Sequence, residues 1–413
     1  MGDRRTWVRA QRRPRKALFL SSPIGLGHAR RDVAIAQELR RLHPDLQIEW
    51  LAQHPVTRVL ADAGEPVHPA SALLSNESAH IEDETADHDL HAFHAIRRMD
   101  EILVNNFMVF NDVVDETYYD LVIGDEAWDV DYFLHENPEL KRFAFAWLTD
   151  FVGWLPMPAG GEAEAALTAD YNAEMLEQRA RYRRLRDRSI FVGNPDDVVE
   201  ADFGPGLPGI REWTEANYDF AGYVTGFTPP SEGERERARR RLGFGPDDLV
   251  CIVTVGGSGV GAALLRRVMD AVPLARRMLP ALRFLVVTGP RIDPASLPRR
   301  QGVRVRGFVP DLYLALAACD VAVVQGGLTT CMELAAARRP FLYVPLENHF
   351  EQNFHVRHRL ERYGAGRCVR YAEIGDPAVL ARELVAEVSR PVDYRPVETD
   401  GAARAAAMLG ELI

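Results

Sequence analysis

The chain has 413 residues, a formal net charge of −11 and a hydrophobic content of 47%. At about 100 to 200 residues per domain, this length predicts two domains. The acidic balance disfavours nucleic acid as a partner. No apolar run approaches the roughly 18 residues of a membrane-spanning helix, and no secretory signal pattern is present. We therefore expect a soluble, cytoplasmic protein.

The first sixteen residues, MGDRRTWVRAQRRPRK, are strongly basic. Two interpretations are open: a flexible tail, or a segment that makes peripheral contact with an anionic membrane or partner. The cysteines have neither zinc-site nor redox-motif spacing, which is typical of reduced thiols; they are Cys251, Cys319, Cys331 and Cys368.

Residues 17–221 alternate apolar runs with helical patterns. Strands are predicted in ALFLSSP, LQIEWLAQ, DLVIGDEAWD, FAFAWLTDF and SIFVGNP. An amphipathic helix is predicted in ARRDVAIAQELRRL, and a charged helix from about residue 162 to 188. Alternating strands and helices imply a parallel sheet.

A Pro-, Gly- and charge-rich stretch near residue 222 predicts a linker with an isolated helix. Strand-then-turn units follow in LVCIVTVGGSGVG, ALRFLVVTGP, GVRVRGF, ACDVAVVQGG and RPFLYVPLE, with helices predicted over 262–278 and 330–338. We predict a second parallel α/β domain over 222–395, and a C-terminal helix over 396–413 that packs back on the first domain. Ligands should bind between the two doubly wound domains, beyond the carboxyl ends of the strands.

The stretch VVQGGLTTCMEL, residues 323–334, leads from a strand through two glycines into a helix. Free N–H groups at such a helix start suit a diphosphate. Thr329 and Glu333 share a helix face, where they could contact phosphate and ribose. The spacing of Thr330 and Glu333 equally matches a capping box. The local sequence leaves both interpretations open.

The positions of seven residues in this region match a family motif in register: Gln325, Gly327, Thr329, Thr330, Glu333, Pro340 and Pro345. Residues 305–366 thereby resemble the donor-binding segment of inverting, metal-independent nucleotide-sugar glycosyltransferases of GT-B fold. That group includes the natural-product and plant UDP-glycosyltransferases and the MurG family. The resemblance implies an α/β fold of two Rossmann-like domains, a UDP- or dTDP-sugar as donor, and no cofactor or metal.

The resemblance also implies residue roles. Gly326, Gly327, Thr329 and Thr330 would contact the diphosphate, Glu333 the ribose, Phe308 and Val309 the base, and Glu351 and Gln352 the sugar. Gln325 replaces the family's phosphate-contacting histidine, which removes a charge but keeps a hydrogen-bond donor. The loop VGGSGVG, 255–261, resembles a second family loop that would bring Gly257 and Ser258 to the ligand, although close helix–strand packing explains it as readily.

In the loop after the first strand, Gly25, Gly27 and His28 resemble the family loop whose histidine is the general base. A lone histidine in a turn is commonly structural, but an imidazole with a pKa near ~6.5 suits deprotonation of an acceptor hydroxyl. Asp125, at a strand end, falls where relatives carry the orienting aspartate. Three other acidic residues crowd its loop and could take that role: Glu126, Asp129 and Asp131.

Arg30 and Arg31 oppose the helix dipole in the first turn. Either an anionic acceptor or pairing with Asp32 and neighbouring acidic groups explains them.

His88, His91 and His94 recur at intervals of three, a pattern that could bind a metal on a helix. Because the three would spread widely and the resembled family needs no metal, we predict no metal and a mobile acceptor-side helix. Five aromatic residues either line an acceptor pocket or belong to the core: Trp128, Tyr132, Trp147, Phe151 and Trp154.

The prediction is a glycosyltransferase that moves a sugar to the hydroxyl of a small-molecule or lipid-linked acceptor, with His28 as base. A UDP-sugar 2-epimerase of similar shape is an alternative, which conversion of a sugar nucleotide without acceptor would reveal. A non-catalytic nucleotide-sugar-binding protein is the other alternative, motivated by Gln325.

Overall fold

The computed structural model describes residues 13–257 and 259–413. The described residues form two six-stranded sheets, in which all paired strands run parallel. The first sheet contains β1 Lys16–Ser21, β2 Gln47–Leu51, β3 Leu121–Asp125, β4 Ala144–Thr149, β5 Arg188–Phe191 and β6 Asp219–Phe220. The second contains β7 Leu249–Thr254, β8 Leu282–Val287, β9 Val303–Arg306, β10 Val321–Val324, β11 Phe341–Tyr343 and β12 Arg367–Cys368. These sheets confirm the predicted fold class.

Helices cover both faces of each sheet. In the first half they are α1 Leu26–Leu42, α2 Val56–Asp62, α3 Glu77–Asp83, α4 Ala92–Arg97, α5 Asp100–Glu116, α6 Trp128–Glu136, α7 Gly161–Arg181 and α8 Ile210–Asn217. In the second half they are α9 Glu232–Arg241, α10 Ala262–Met278, α11 Leu312–Ala317, α12 Leu328–Ala336, α13 Arg357–Tyr363, α14 Pro377–Val388 and α15 Gly401–Gly410. A π-helical turn, Glu351–Val356, leads into α13. Among these helices, none combines the length and apolar composition that crossing a membrane requires.

The strand order places a crevice in each sheet. The orders are β2-β1-β3-β4-β5-β6 and β12-β11-β10-β7-β8-β9. The chain turns in opposite directions at β1/β3 and at β7/β10, and ligands of doubly wound folds bind at such switch points. The loops that follow these strands therefore mark where a site should form.

Helix α1 shows why the first core forms. Its residues Val33, Ala36 and Leu39 fall on one face and are buried. The same core includes Ala405 and Leu409 of α15, so the C-terminal helix packs against the first domain. Removal of these apolar faces from water stabilises both helices.

Several element boundaries differ from the sequence prediction. The charged helix α7 ends at Arg181, not near residue 188, because Arg188 already pairs with Ala146 as part of β5. Lys16, predicted in the tail, begins β1, and Arg13 bonds to Asp120 at 2.5 Å. The remaining tail residues, 1–12, lie outside the described residues.

The predicted helix through three histidines is also wrong at its start. Helix α4 begins at Ala92, after His91. His88 precedes it, and its Nε2 lies 3.2 Å from the Val344 carbonyl oxygen of the second domain. The Nε2 atom of this buried imidazole thus finds its partner in the opposite domain.

The two domains are in direct contact. The buried Arg359 guanidinium of α13 donates to the carbonyl oxygens of Val192 and Asp150, at 2.9 and 3.0 Å. An apolar cluster that includes Phe151 of the first domain and Phe350 of the second also joins them. Packed residues of both domains therefore border the space between the domains.

Candidate active site in the interdomain cleft

Loops from both domains line one cleft. The structure brings many of the predicted residues to it: Gly25, Gly27, His28, Arg30, Gly257, Phe308, Val309, Gln325, Gly327, Thr329, Thr330, Glu333, Glu351 and Gln352. At the edge of the cleft, Arg31 donates to Asp125, and Oδ2 of Asp125 lies 2.9 Å from Nδ1 of His28. Ser258 lies outside the described residues. Parallel strands of each sheet end at the same edge, which is why loops so distant in sequence meet there.

His28 lies in the first turn of α1, beside the end of β3. Its Nδ1 is 2.9 Å from Oδ2 of Asp125, the last residue of β3. Its Nε2 is 3.9 Å from Oε2 of Glu126. The side chain of His28 is 18% exposed, whereas Asp125 is fully buried. The ring is thus held from the protein interior while one side stays open to the cleft.

Arg31 fills the space behind His28. Its Nε donates to Asp125 Oδ2 at 3.0 Å, and its terminal nitrogens donate to Asp125 and Asp150. Because the guanidinium is buried and pairs with two carboxylates, it is not available to an anionic acceptor. Asp32 instead accepts a hydrogen bond from Ser21 Oγ at 2.6 Å. Pairing with acidic neighbours therefore explains Arg31, with Asp125 and Asp150 as the partners.

The charged side chains around His28 shift one another's pKa values. Burial and Arg31 lower the pKa of His28, but the carboxylates of Asp125 and Glu126 outweigh both and raise its pKa to about 10. Burial raises the pKa of Glu126 to about 7, and Asp150 adds to the rise. Burial alone would raise the pKa of Asp125, yet Arg31 and His28 hold it well below its usual range. The neighbouring carboxylates thus favour the protonated form of His28.

The start of α12 forms the opposite wall. After β10, Gly326 adopts a φ of 104°, a conformation that favours glycine. Gly327 is the N-cap residue, and Thr329 and Thr330 of the first turn line the cleft. The first N–H groups of a helix have no intrahelical acceptor. This terminus is therefore suited to an anion such as a diphosphate.

The capping-box interpretation of Thr330 and Glu333 is wrong. Helix α12 begins at Leu328 with Gly327 as its cap, and no side chain caps it. The buried Glu333 instead faces the first domain, where Arg30 Nη1 lies 3.6 Å from its Oε1. Burial raises the pKa of Glu333 and Arg30 opposes that rise. Glu333 is thus a carboxylate held in the cleft, not a helix cap.

Gln325 supports the glycine loop after β7. With its amide nitrogen turned towards that loop, it donates to the carbonyl oxygens of Val255 at 2.6 Å and Val260 at 2.9 Å. Both amide hydrogens are then used. Gln325 therefore has no hydrogen left to donate to a phosphate, unlike the role expected from the sequence.

Glu351 and Gln352 open the π-helical turn. Gln352 Oε1 accepts a hydrogen bond from the Leu346 N–H at 2.9 Å, which leaves its amide nitrogen free to donate. Burial raises the pKa of Glu351 to about 8, and Asp150 and Glu126 contribute. A protonated Glu351 can both donate to and accept from a sugar hydroxyl.

Two glycines allow the walls to approach closely. A Cβ on Gly27 would lie 2.1 Å from Thr329 Oγ1, and a Cβ on Gly257 would lie 2.6 Å from Leu26 Cγ. Any larger side chain would push these loops apart. Gly27 thus lets α1 approach α12, and Gly257 lets the loop after β7 approach α1.

The expected base-binding residues have different environments. Val309 is 5% exposed and belongs to the second core. The Phe308 ring lines the cleft, and the Arg58 guanidinium of α2 lies 4.6 Å from its centroid. This cation covers a ring face that a base would need for stacking.

The aromatic residues left open by the sequence lie mainly in the core. Trp147 and Phe151 are 1% and 5% exposed, and Trp128 packs on Trp147 with centroids 4.9 Å apart. Tyr132 is 44% exposed. The described cleft lining includes none of these side chains, nor that of Trp154.

Sequence reasoning missed Asp150, which follows β4 as Asp125 ends β3. The sequence does contain a signal for Asp150, because an acidic residue ends or follows each of two apolar runs. Its meaning depends on β3 and β4 being neighbours, which the sheet shows.

Comparison with known proteins agrees with this architecture. Residues 250–404 match the model of the Glycosyltransferase family 28 C-terminal domain. An uncharacterized glycosyltransferase of Methanopyrus kandleri is 28% identical over 181 residues, which cover 42% of this chain and 48% of the relative. The UDP-N-acetylglucosamine--N-acetylmuramyl-(pentapeptide) pyrophosphoryl-undecaprenol N-acetylglucosamine transferase of Carboxydothermus hydrogenoformans is 30% identical over 160 residues, 36% of this chain and 41% of that protein. The chain thus spans about half or less of the length of these curated relatives.

Solved structures resemble the whole chain. The spinosyn rhamnosyltransferase SpnG matches with a TM-score of 0.58 and 17% identity, covering 96% of each chain. The calicheamicin glycosyltransferase CalG4 matches with a TM-score of 0.55 and 16% identity, covering 97% of this chain and 94% of the other. At such identities these matches concern the fold alone. They show that the two-domain fold is that of GT-B glycosyltransferases, and the family model shows that residues 250–404 resemble a glycosyltransferase domain.

Proposed function

We propose that the protein transfers a sugar from UDP or dTDP to an acceptor hydroxyl, with inversion and without a metal. One observation carries the proposal: the His28–Asp125 pair of the first domain and the α12 terminus with Glu333 of the second domain border the same cleft. One wall offers a base and the other an anion site. An acceptor and a diphosphate leaving group need these two features on opposite sides of one carbon.

The names of similar proteins support a nucleotide-sugar donor. The Carboxydothermus relative is named for transfer of N-acetylglucosamine from its UDP form. SpnG, whose fold is similar, has been solved with thymidine diphosphate. A pyrimidine nucleoside diphosphate is therefore the donor class that we propose here.

The donor would lie along the second-domain wall. Its diphosphate would accept hydrogen bonds from the N–H groups at the start of α12, and its ribose would donate to Glu333. Among the described lining residues, Arg30 is the only lysine or arginine. Because Gln325 offers neither a charge nor a free N–H group, Arg30 is the residue that would supply a cation to the diphosphate. To contact the diphosphate, Arg30 must break its ion pair with Glu333. Phosphate binding would thereby free the Glu333 carboxylate to bind the ribose.

The acceptor would react from the first-domain wall. Its oxygen attacks the anomeric carbon while the bond from that carbon to the diphosphate oxygen breaks, and the diphosphate leaves with the electron pair. His28 takes the hydroxyl proton, and Asp125 stabilises the resulting imidazolium. A single displacement inverts the configuration. Since the pKa of His28 is raised to about 10, the reactive neutral imidazole becomes more populated as pH rises above neutrality.

The donor assignment is tested by thermal shift with UDP, dTDP, ADP and GDP and their sugar conjugates. A ligand that binds the folded state raises its stability by RT ln(1 + [L]/Kd). We expect stabilisation by UDP or dTDP, and its loss in Glu333→Ala but not in the control Glu347→Ala, which changes an exposed glutamate. No stabilisation by any nucleotide, or equal stabilisation of Glu333→Ala and the wild type, would contradict the proposal.

One observation supports the alternative function, that of an epimerase. The carboxyl groups that this reaction would need near the sugar are available in Glu126, Asp150 and Glu351, whose charges influence one another. Incubation of a UDP-sugar without acceptor, followed by NMR, separates the functions. A new epimer would favour the epimerase, whereas transfer only in the presence of an acceptor supports the transferase. Binding without either product would identify a non-catalytic protein.

A further inference from the structure

A second cluster of chemically capable side chains lies outside the cleft. His91 caps α4, His94 lies one turn along it, and Glu164 lies in the first turns of α7. None of the three belongs to the described cleft lining. We propose that they bind a divalent first-row transition-metal ion of the Zn²⁺ type, independently of the transfer reaction.

The ligand atoms already converge. Glu164 Oε2 lies 3.0 Å from His91 Nε2 and 3.9 Å from His94 Nε2. All three atoms fall within 4.8 Å of one another. Ligands at about 2.0 to 2.1 Å from a tetrahedral metal are roughly 3.3 Å apart. The distances of both histidines from Glu164 bracket that value, so small side-chain rotations suffice to surround an ion.

Glu164 is the strongest evidence for a ligand. Its side chain is 1% exposed. Its Oε1 accepts a hydrogen bond from the Met157 N–H at 2.8 Å, while its Oε2 accepts no hydrogen bond of good geometry. A buried carboxylate oxygen that accepts no well-aligned hydrogen bond is costly. The anchored Oε1 holds the group in place and directs the other oxygen at the two imidazoles.

The histidines have suitable chemistry. Two imidazole nitrogens and one carboxylate oxygen form a three-ligand set that zinc uses with a fourth position left to water. The contact of His91 Nε2 with Glu164 at 3.0 Å accounts for one histidine but leaves His94 Nε2, at 3.9 Å, without a direct bond to the carboxylate.

A second group of three possible ligands lies around His28. His28, Asp125 and Glu126 also place three ligand atoms together. There, however, Arg31 Nη2 lies 2.9 Å from His28 Nδ1 and its charge already serves the carboxylates. Such a fixed cation opposes a metal ion. We therefore assign the metal to the His91 cluster alone.

The site has a structural consequence. The segment just before α4 bonds to the second domain, where the Leu90 N–H donates to the Glu347 carbonyl oxygen at 3.1 Å. An ion joining α4 to α7 would brace this interdomain contact from within the first domain. Metal binding to the folded state should then raise its stability.

The test uses tag-free, full-length protein treated with a chelator and dialysed. Zn²⁺ alone is titrated by calorimetry and by thermal shift, without nucleotide. We expect one equivalent to bind, a rise in melting temperature that a chelator reverses, and Co²⁺ spectra that indicate nitrogen ligation. His94→Gln and His91→Gln should each weaken Zn²⁺ at least about tenfold, the loss seen even for outer partners of metal sites. The control His54→Gln removes an exposed imidazole and should bind as the wild type does.

Two results would overturn the proposal. One is the absence of saturable Zn²⁺ binding by the wild-type protein. The other is unchanged Zn²⁺ affinity in both folded histidine variants. Circular dichroism of each variant checks folding, and the wild-type titration decides the question even if a variant fails to fold. Because nucleotide is absent throughout, either result leaves the proposed transferase function untouched.

Discussion

The two walls of the cleft handle charge in opposite ways. The first-domain wall concentrates ionisable side chains, with Arg31 buried between Asp125 and Asp150 behind His28. The second-domain wall uses backbone N–H groups, glycines and the neutral Gln325, and its buried carboxylate Glu333 pairs with Arg30 from across the cleft. A proton-transfer group needs tuned neighbours, whereas an anion site needs only fixed donors. In the proposed reaction, the proton-transfer group and the anion site would therefore belong to different domains.

Removing the base should have the largest effect. His28→Ala deletes the proton acceptor from the first wall and leaves the second wall intact. We expect transfer to fall by about 10² to 10⁴-fold, the usual contribution of a general base, with unchanged affinity for UDP or dTDP. Single-turnover kinetics and calorimetry measure the two quantities. Near-normal turnover would contradict the role of His28 as base. A loss of nucleotide affinity as large as the loss of turnover would contradict the assignment of nucleotide binding to the second wall alone. The variant His54→Ala controls for the loss of an imidazole.

The buried ion cluster should dominate the stability of the first wall. Arg31→Met leaves Asp125 and Asp150 as buried carboxylates without their cation, which costs about 3 to 5 kcal/mol when one partner of a buried pair is removed. Urea unfolding measures the free energy of unfolding. Arg41→Met, at an exposed pair with Glu38, should change little. Equal stability of both variants would show that the cluster does not hold the first wall together.

Arg30 links the two walls and should have an intermediate effect. Arg30→Gln removes the cation that we assign to the diphosphate, so the affinity for UDP or dTDP should fall about tenfold. The nucleoside without phosphates should bind equally to both proteins. Calorimetry at low and high salt measures the difference, which should shrink as salt screens the charge. Arg306→Gln, at an exposed arginine, serves as control. An unchanged diphosphate affinity in Arg30→Gln would mean that the α12 terminus alone binds the diphosphate.

The pH dependence of stability should give the smallest signal. Because the pKa of His28 is raised from 6.5 to about 10, the folded state holds a proton that the unfolded state has released. This contribution is complete below pH 6.5 and is lost as pH rises towards about 10. The raised pKa values of Glu126 and Glu351, about 7 and 8, act in the same direction at lower pH. Urea unfolding between pH 7 and 10 should show a shallower loss for His28→Gln than for the wild type, and parallel curves would contradict the raised pKa.

Much of the fold follows from local sequence. Short apolar runs ending in Gly or Asp, separated by amphipathic segments, specify parallel strands and their covering helices. The motif from Gln325 to Glu333 likewise singled out a segment that lines the cleft. The sequence predicted α10 with its observed ends, Ala262 and Met278, but it started α12 at Thr330 instead of Leu328, which directly follows the turn at Gly326 and the cap at Gly327. It also overextended the charged helix, since pairing with β4, not helix propensity, decides the state of Arg188.

The sequence by itself determined which elements form, and which loops carry glycine, histidine and acidic residues at strand ends. Only the tertiary structure decided the partners: Asp125 and Asp150 for Arg31, Glu333 for Arg30, and Glu164 for His91 and His94. The physical reason is that secondary structure depends on neighbours a few residues apart, whereas a buried charge requires compensation wherever the chain can supply it. Those partners come from strands and helices far apart in sequence, so sheet order and domain closure select them.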